Sequence, residues 1–514
     1  MNSKIIVFAV SSLGIIMAFF MGRAAGQGQL MQIALVFGVM IGAPILLSLG
    51  KNYWYLIPAS LLSGLPAIPF GGRNIELAEL CIVLCFGIFV SRVAFKLDKL
   101  VLWRATHIPI YLFMVWVLFI FCLYPSGLGA FGSTTMGGRF YLKLLLAFMA
   151  FVIISSREIT DKDCKWVVVF IIGGSIVSAS YNIFSFFRGA SDDVFAMDSG
   201  PDDFYTWHQN LSGPALAISF ILFAWKKPRE ILGFRHPILL LLYIAAIGFT
   251  LFSGKRTAII AVFLAPLVSA IVFRQYGYLF IGLFGAIVFS LVVIFGHGNL
   301  FQFPLQIQRT LSWLPADWDS EFRHMEHGKD SFREGLRRFA MENIERYPII
   351  GRGFTVDYSE VIRQITATKY VGGGDSLAAP YAIGRAWHNT WLGYAADFGI
   401  PLSVIQALVY LTALIVSYKS TRLYPMGSLK FILSAYILFY TFRDILFSHV
   451  VGHTSWDAYN RWWMYGFLFS LYATLSKEKG DNNQTISTLS PRKAEWEKLE
   501  KGLAQFRAEN GGFV

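Results

Sequence analysis

The strongest constraint on this chain is a series of apolar runs, most of about 17–22 residues, separated by short polar turns. A helix rises ~1.5 Å per residue, so ~20 such residues cross a ~30 Å hydrocarbon layer. Inside lipid, backbone N–H and C=O groups must be bonded within the protein, which favours helices over open strands. The pattern predicts an all-α polytopic membrane protein with about 14 transmembrane helices (range 12–14). The expected spans are roughly 5–21, 30–49, 53–70, 75–95, 108–124, 141–156, 166–187, 211–225, 236–252, 257–273, 276–296, 400–417, 428–448 and 460–476. Pro58, Pro66 and Pro69 interrupt the third, which is expected to be broken or re-entrant and buried in protein. The first run lacks a small-x-small cleavage site and is read as an uncleaved span.

Composition agrees. At 55% hydrophobic and 15% charged, the chain is no water-soluble globular enzyme, and nucleic acid is not an expected partner. Its 14 Trp and 23 Tyr suit a protein with two lipid–water interfaces, so membrane lipids are partners from the outset. Cys81, Cys85, Cys122 and Cys164 are too few and too apolar in setting for a disulfide framework, and the Cys81/Cys85 pair reads as packing.

Orientation follows from the short loops. With a cytoplasmic N-terminus, one set holds Lys51; Arg92, Lys96, Lys99 and Arg104; Arg157, Lys162 and Lys165; Lys226, Lys227, Arg229 and Arg235; Arg274; and Lys419, Arg422 and Lys430. The other set holds only Arg23, Arg73, Arg139, Arg188, Lys255 and Arg256. The positive-inside rule then places both termini in the cytoplasm. Four regions result: a bundle over 1–296, an external loop over 297–389, further spans over 390–476 and a cytoplasmic tail over 477–514.

The long loop is too long for a connector. Ser331-x-x-Glu334 is a capping-box pattern, and Phe332, Leu336, Phe339 and Ile344 follow at helical spacing, predicting an amphipathic helix over 331–346 that Pro348 stops. Gly372-Gly373-Gly374 then marks a link before His388-Asn389, which opens a helix closing on Gly399-Ile400-Pro401. Trp387, Trp391, Tyr394 and Phe398 form one stripe of that helix, expected to anchor at the interface. His388, Leu392, Ala395 and Gly399 form a smaller face, expected to leave room for substrate. A neutral imidazole there can accept a proton from a sugar hydroxyl.

Cations on the disfavoured face also need a reason. Lys255 and Arg256 share a tight hairpin, Arg139 starts a span after a glycine-rich loop, and Arg73 follows Gly71-Gly72. Such cations commonly line a functional cavity, and guanidinium groups grip phosphate bidentately, so a lipid pyrophosphate is the expected anion. Asp192, Asp193, Asp202 and Asp203 would be the ligands of a metal-dependent alternative, but read more simply as a solvated loop. The Arg443-Asp444 pair is expected to steady the bundle, although such charges and many spans also fit a transporter or flippase for lipid-linked oligosaccharide.

The segment His388-Asn389, nine residues, Gly399, three residues, Ser403 resembles the signature of the O-antigen ligase and polymerase superfamily. Pro348-Ile349-Ile350-Gly351-Arg352-Gly353 resembles that family's Pro-x-x-Gly-x-Gly segment. Ser253-Gly254-Lys255-Arg256-Thr257 resembles its Ser/Gly-Arg-small hairpin, Arg73-x-x-x-Leu77 a short arginine motif, and Asn210 a common asparagine. His208-Gln209 lacks the matching glycine, since position 219 is Ser.

The resemblance implies a GT-C-like, cofactor-free and metal-independent inverting glycosyltransferase of the bacterial inner membrane, with a periplasmic active site. Its donor would be a glycan on undecaprenyl diphosphate, and its acceptor another glycan or lipid A-core. Chain-length or export proteins would be further partners. His388 would be the catalytic base, and Arg256, Lys255, Arg139 and Arg73 would hold pyrophosphate. Asn389, Gly399, Gly351, Gly353, Arg352 and Asn210 would support them. The predicted topology requires a phosphatase fused after about Gly373 to be active and one fused after Lys479 to be inactive. The reverse pattern would remove the placement of the site.

Overall fold

The computed structural model describes residues 50–64, 68–70, 73–125, 138–187, 211–233, 235–354, 387, 389–447 and 458–474. The runs 5–21 and 30–49, the aspartate-rich segment, the Gly372 link and the tail lie outside them. Among the described residues the fold is helical, apart from a two-stranded antiparallel hairpin pairing Ile68 with Ile75.

In chain order the helices are α1 (Leu56–Ser63), α2 (Leu77–Ala94), α3 (Ile108–Leu123), α4 (Gly138–Ser155), α5 (Asp161–Phe187) and α6 (Ser212–Trp225). Next come α7 (Pro228–Leu232), α8 (Pro237–Phe252), α9 (Arg256–Val272), α10 (Gly277–Gly296), α11 (Leu305–Leu311) and α12 (Ser320–Arg346). The series ends with α13 (Thr390–Phe398), α14 (Ile400–Leu423), α15 (Leu429–Phe447) and α16 (458–474). The strands are β1 (Ile68–Phe70) and β2 (Arg73–Ile75).

Among the described residues, six helical stretches are long and apolar enough to cross a membrane: 77–94, 105–123, 138–155, 161–184, 277–296 and 400–423. This is a membrane-embedded helical protein. α10 illustrates the solvent it expects, for Phe280, Phe284 and Phe295 stand 75%, 69% and 68% exposed; in water such a surface would drive aggregation. The third expected span is not one long helix. It is a 3-10 turn (Gly50–Tyr55), the eight-residue α1 and the β1–β2 hairpin. Gly64, in left-handed backbone, ends α1 against Ser178 of α5, which is why the polypeptide turns there instead of running on.

Helix starts follow local chemistry. Glu76 caps α2 in a reciprocal box with Glu79, and proline occupies the first turn of α3, α8 and α14. The interior is aromatic: Phe113 meets Trp462 edge-on at 4.9 Å and Tyr394 at 5.4 Å, joining α3, α16 and α13.

Turns expected on one side of the membrane meet one another in space. On one face, Arg104 donates to the Ser155 carbonyl (3.1 Å), Arg422 to that of Val272 (3.2 Å), and the Arg229 amide to Gln275 (3.2 Å). On the other, Arg139 pairs with Glu79 (3.3 Å) and the Phe354 amide reaches the Tyr141 hydroxyl (3.3 Å). The first face is locked by Asp98, which holds Arg92 at 2.8 Å and Arg157 at 2.7 Å, and receives the Tyr53 hydroxyl at 3.4 Å. Burial alone would raise the Asp98 carboxyl, but the hydrogen bonds and charges of Arg92 and Arg157 hold it below its usual value.

Folding is therefore favoured by Asp98 ionisation above about pH 4, and this contribution disappears as pH falls through the lowered native value. Asp98→Asn should lower stability on the order of 2 kcal/mol at neutral pH, less than the ~3–5 kcal/mol of a fully dry pair. It should also flatten the acid limb of a thermal-melt profile. An unchanged melting temperature and acid limb would show that Asp98 does not hold this face.

Candidate functional site

The two segments carrying the family resemblance in the long loop are brought into backbone contact. Tyr347 ends α12, and residues 348–354 turn beneath the C-terminal end of α13. The Gly353 amide donates to the Asp397 carbonyl (2.6 Å), the Arg352 amide to that of Ala396 (3.3 Å), and the Ile400 amide to that of Pro348 (2.8 Å). Gly351 and Gly399 make this possible. Both have positive φ (62° and 82°), and a Cβ on Gly351 would strike the Asp397 backbone while one on Gly399 would strike that of Ile349. Gly353 (φ 64°) lies under the Tyr141 hydroxyl, and Phe354 fills an aromatic nest of Phe140, Tyr141 and Phe398.

Asn389 is the N-cap of α13, its side chain accepting from the Leu392 amide at 3.0 Å. The Trp387 indole donates to both carboxylate oxygens of Asp397 at 3.2 Å, closing the helix's first residues onto its last turn. Ser403 completes the clasp by donating to the Trp391 carbonyl at 3.0 Å. His388 lies outside the described residues, between these two fixed neighbours. Asn210 lies outside them too, and of Arg73 only the backbone, in β2, is described.

One expectation for α13 is corrected. The aromatic stripe is core and not an interfacial anchor: Trp387, Tyr394 and Phe398 are buried, and Trp116 of α3 donates to the Phe398 carbonyl at 2.8 Å. On the smaller face, Leu392 packs toward α12 and Gly399 receives the Ile349 backbone, while the surroundings of His388 lie outside the described residues. Small residues serve here for close backbone approach. The amphipathic helix also begins earlier than expected, at Ser320 after Asp319, so Ser331-x-x-Glu334 is mid-helix, where Glu334 instead faces Arg337 at 3.8 Å.

The cations separate into two groups. Arg139 pairs with Glu79 (3.3 Å) and Glu76 (3.9 Å), beside buried Lys143 on Glu76 (2.8 Å). Lys255, Arg256 and Arg309 form the other group with Arg443. Arg256 opens α9 and its Nε donates to the Arg309 carbonyl at 3.3 Å, while Gly254 turns the hairpin against the Arg309 side chain. Lys255 is exposed and lines an open cavity of about 300 Å³ between helices. The protein around it, with the charges of Arg443 and Arg309, pushes its ammonium below the usual lysine value.

Arg443 forms the expected pair with Asp444, but it is the longer of two ion pairs on that carboxylate. That contact is 3.9 Å, whereas Asp444 holds Arg461 of α16 at 2.6 Å, and Arg443 lies over the Tyr440 ring at 5.2 Å. Arg461 also donates to the Tyr410 hydroxyl (2.7 Å), and Tyr410 meets Trp391 at 5.6 Å. A continuous path of contacts thus joins α13 to the Arg443 region. Arg309, Asp397 and Arg461 escape a sequence reading centred on the hairpin and His388. The available signals were a carboxylate inside an apolar helix and further cations on the face expected to disfavour them.

No protein-family model matches the sequence, and no curated protein matches it.

The clasp makes a quantitative prediction. Gly427 has φ 81° with open space around it, so Gly427→Ala carries backbone strain alone, about 1–2 kcal/mol. Gly399→Ala adds a collision with backbone and should lower the thermal midpoint of the purified protein considerably more. Equal losses at the two positions would refute a tight backbone contact at Gly399.

Proposed function

We propose that this protein is an inverting, metal-independent glycosyltransferase that moves a glycan from undecaprenyl diphosphate to an acceptor hydroxyl at the external face of the bacterial inner membrane. The acceptor is a glycan or lipid A-core, making the protein a polysaccharide polymerase or an O-antigen ligase. The observation that carries this reading is the glycine clasp. Two segments far apart in sequence, each resembling a motif of one superfamily, interlock through Gly351, Gly353 and Gly399 around the fixed flanks of His388.

In this mechanism the acceptor hydroxyl gives its proton to the His388 imidazole as its oxygen attacks the anomeric carbon. The bond from that carbon to the diphosphate oxygen breaks, and undecaprenyl diphosphate leaves with the electron pair. Its growing negative charge is met by the cations around the 253–256 hairpin, where electrostatic stabilisation has its largest leverage. Cationic side chains can take over the charge role of a metal ion.

His388→Ala should lose ~10²–10⁴-fold in turnover while retaining donor binding, and the parental rate should fall on the acid side as the imidazole is protonated. Arg256→Ala should cripple transfer, with Arg256→Lys a poor rescue because a point charge does not replace a bidentate fork. Turnover should persist in excess EDTA. Loss of donor binding with intact chemistry in His388→Ala would move the base elsewhere. An EDTA loss reversed by magnesium would favour Asp192, Asp193, Asp202 and Asp203. Transport of intact donor without bond formation would favour a flippase.

A further inference from the structure

The cavity that Lys255 lines has a lining unlike a simple anion hole. Its polar lining residues include Ser178 (α5), Ser212 (α6), Tyr440 (α15), and Asn460 and Trp463 (α16). Trp463 is only 1% exposed, yet its Nε1–H has no hydrogen-bond partner. A buried donor left unmade is unfavourable and is normally satisfied by protein, water or ligand. Lys255 is the cation of this lining, a point charge able to meet an anionic group.

Helices α1, α5, α6, α15 and α16 and the 253–256 hairpin therefore border an open cavity with one charged point beside several neutral polar residues and an aromatic wall. At about 300 Å³ the cavity is at the small end of ligand sites, ~300–1,000 Å³, a volume suited to one sugar and its substituent. Resting on the transferase reading for the identity of its ligand, we infer that this cavity is a subsite for a single sugar joined directly to an anionic group. The anion sits at Lys255 and the sugar hydroxyls reach Trp463, Tyr440 and the serines. The phosphate-linked first sugar of a lipid donor and a carboxylated sugar within the glycan share this chemistry.

The test is binding to the full-length protein in detergent, using glucose 1-phosphate, glucuronic acid, glucose and inorganic pyrophosphate as probes. The first or second should bind, and glucose should not. Trp463→Phe should weaken the sugar-bearing anion roughly three- to tenfold, as for one lost hydrogen bond, and leave pyrophosphate unchanged. Lys255→Gln should weaken both anions, roughly ten- to a hundredfold. Preference for glucose 1-phosphate assigns the phosphate-linked sugar, and preference for glucuronic acid the carboxylated one. Equal binding of pyrophosphate and both sugar anions, unaffected by Trp463→Phe, overturns the subsite while leaving the transferase reading intact. Trp463-dependent binding in a protein that turns over no donor lipid would keep the subsite and discard the transferase.

Discussion

The site depends on one contact that only glycine permits. Backbone lies on backbone where residues 348–353 pass under the end of α13, and Gly351 and Gly399 leave no room for a side chain there. Hydrogen bonds from Arg352, Gly353 and Ile400 then pin the turn to the Ala396, Asp397 and Pro348 carbonyls. Because α13 is at once the lid of this turn and a neighbour of α3, α12 and α14, its first residues are fixed relative to the bundle. Trp387, held by Asp397, and Asn389, capping the helix, are the two sides of that fixed start.

Charge is handled in two ways. Where cations need only be tolerated, acids neutralise them: Asp98 with Arg92 and Arg157 on one face, Glu76 and Glu79 with Lys143 and Arg139 on the other, and Asp444 with Arg461. At the 253–256 hairpin, Lys255 instead lines a cavity, and the charges of Arg443 and Arg309 act on it.

Much of the helical order was legible because the apolar runs are bounded by prolines, glycines and charges. The expected span over 276–296 is α10 within a residue at its start, and 108–124 and 236–252 are α3 and α8. Partnership was legible only in part. Asp444 pairs with its neighbour Arg443 as expected, yet its closer partner is Arg461. The stripe Trp387, Trp391, Tyr394 and Phe398 has the spacing of an interfacial anchor and the same spacing as a core face, and packing decides between them. The start of α12 was hidden because 320–330 is polar and carries no apolar period, so Ser331 offered the first visible cap. Glycines with positive φ were visible as a motif, but their purpose appears only when the opposing backbone is in place.

The most direct measurement of the central claim is the product itself. Purified protein in lipid nanodiscs, given undecaprenyl-diphosphate-linked glycan with a glycan or lipid A-core acceptor, should release undecaprenyl diphosphate and form one new glycosidic bond. Nuclear magnetic resonance of that bond should show the anomeric configuration inverted relative to the donor. A retained configuration, or recovery of intact donor from both sides of a sealed vesicle with no new bond, would contradict the account.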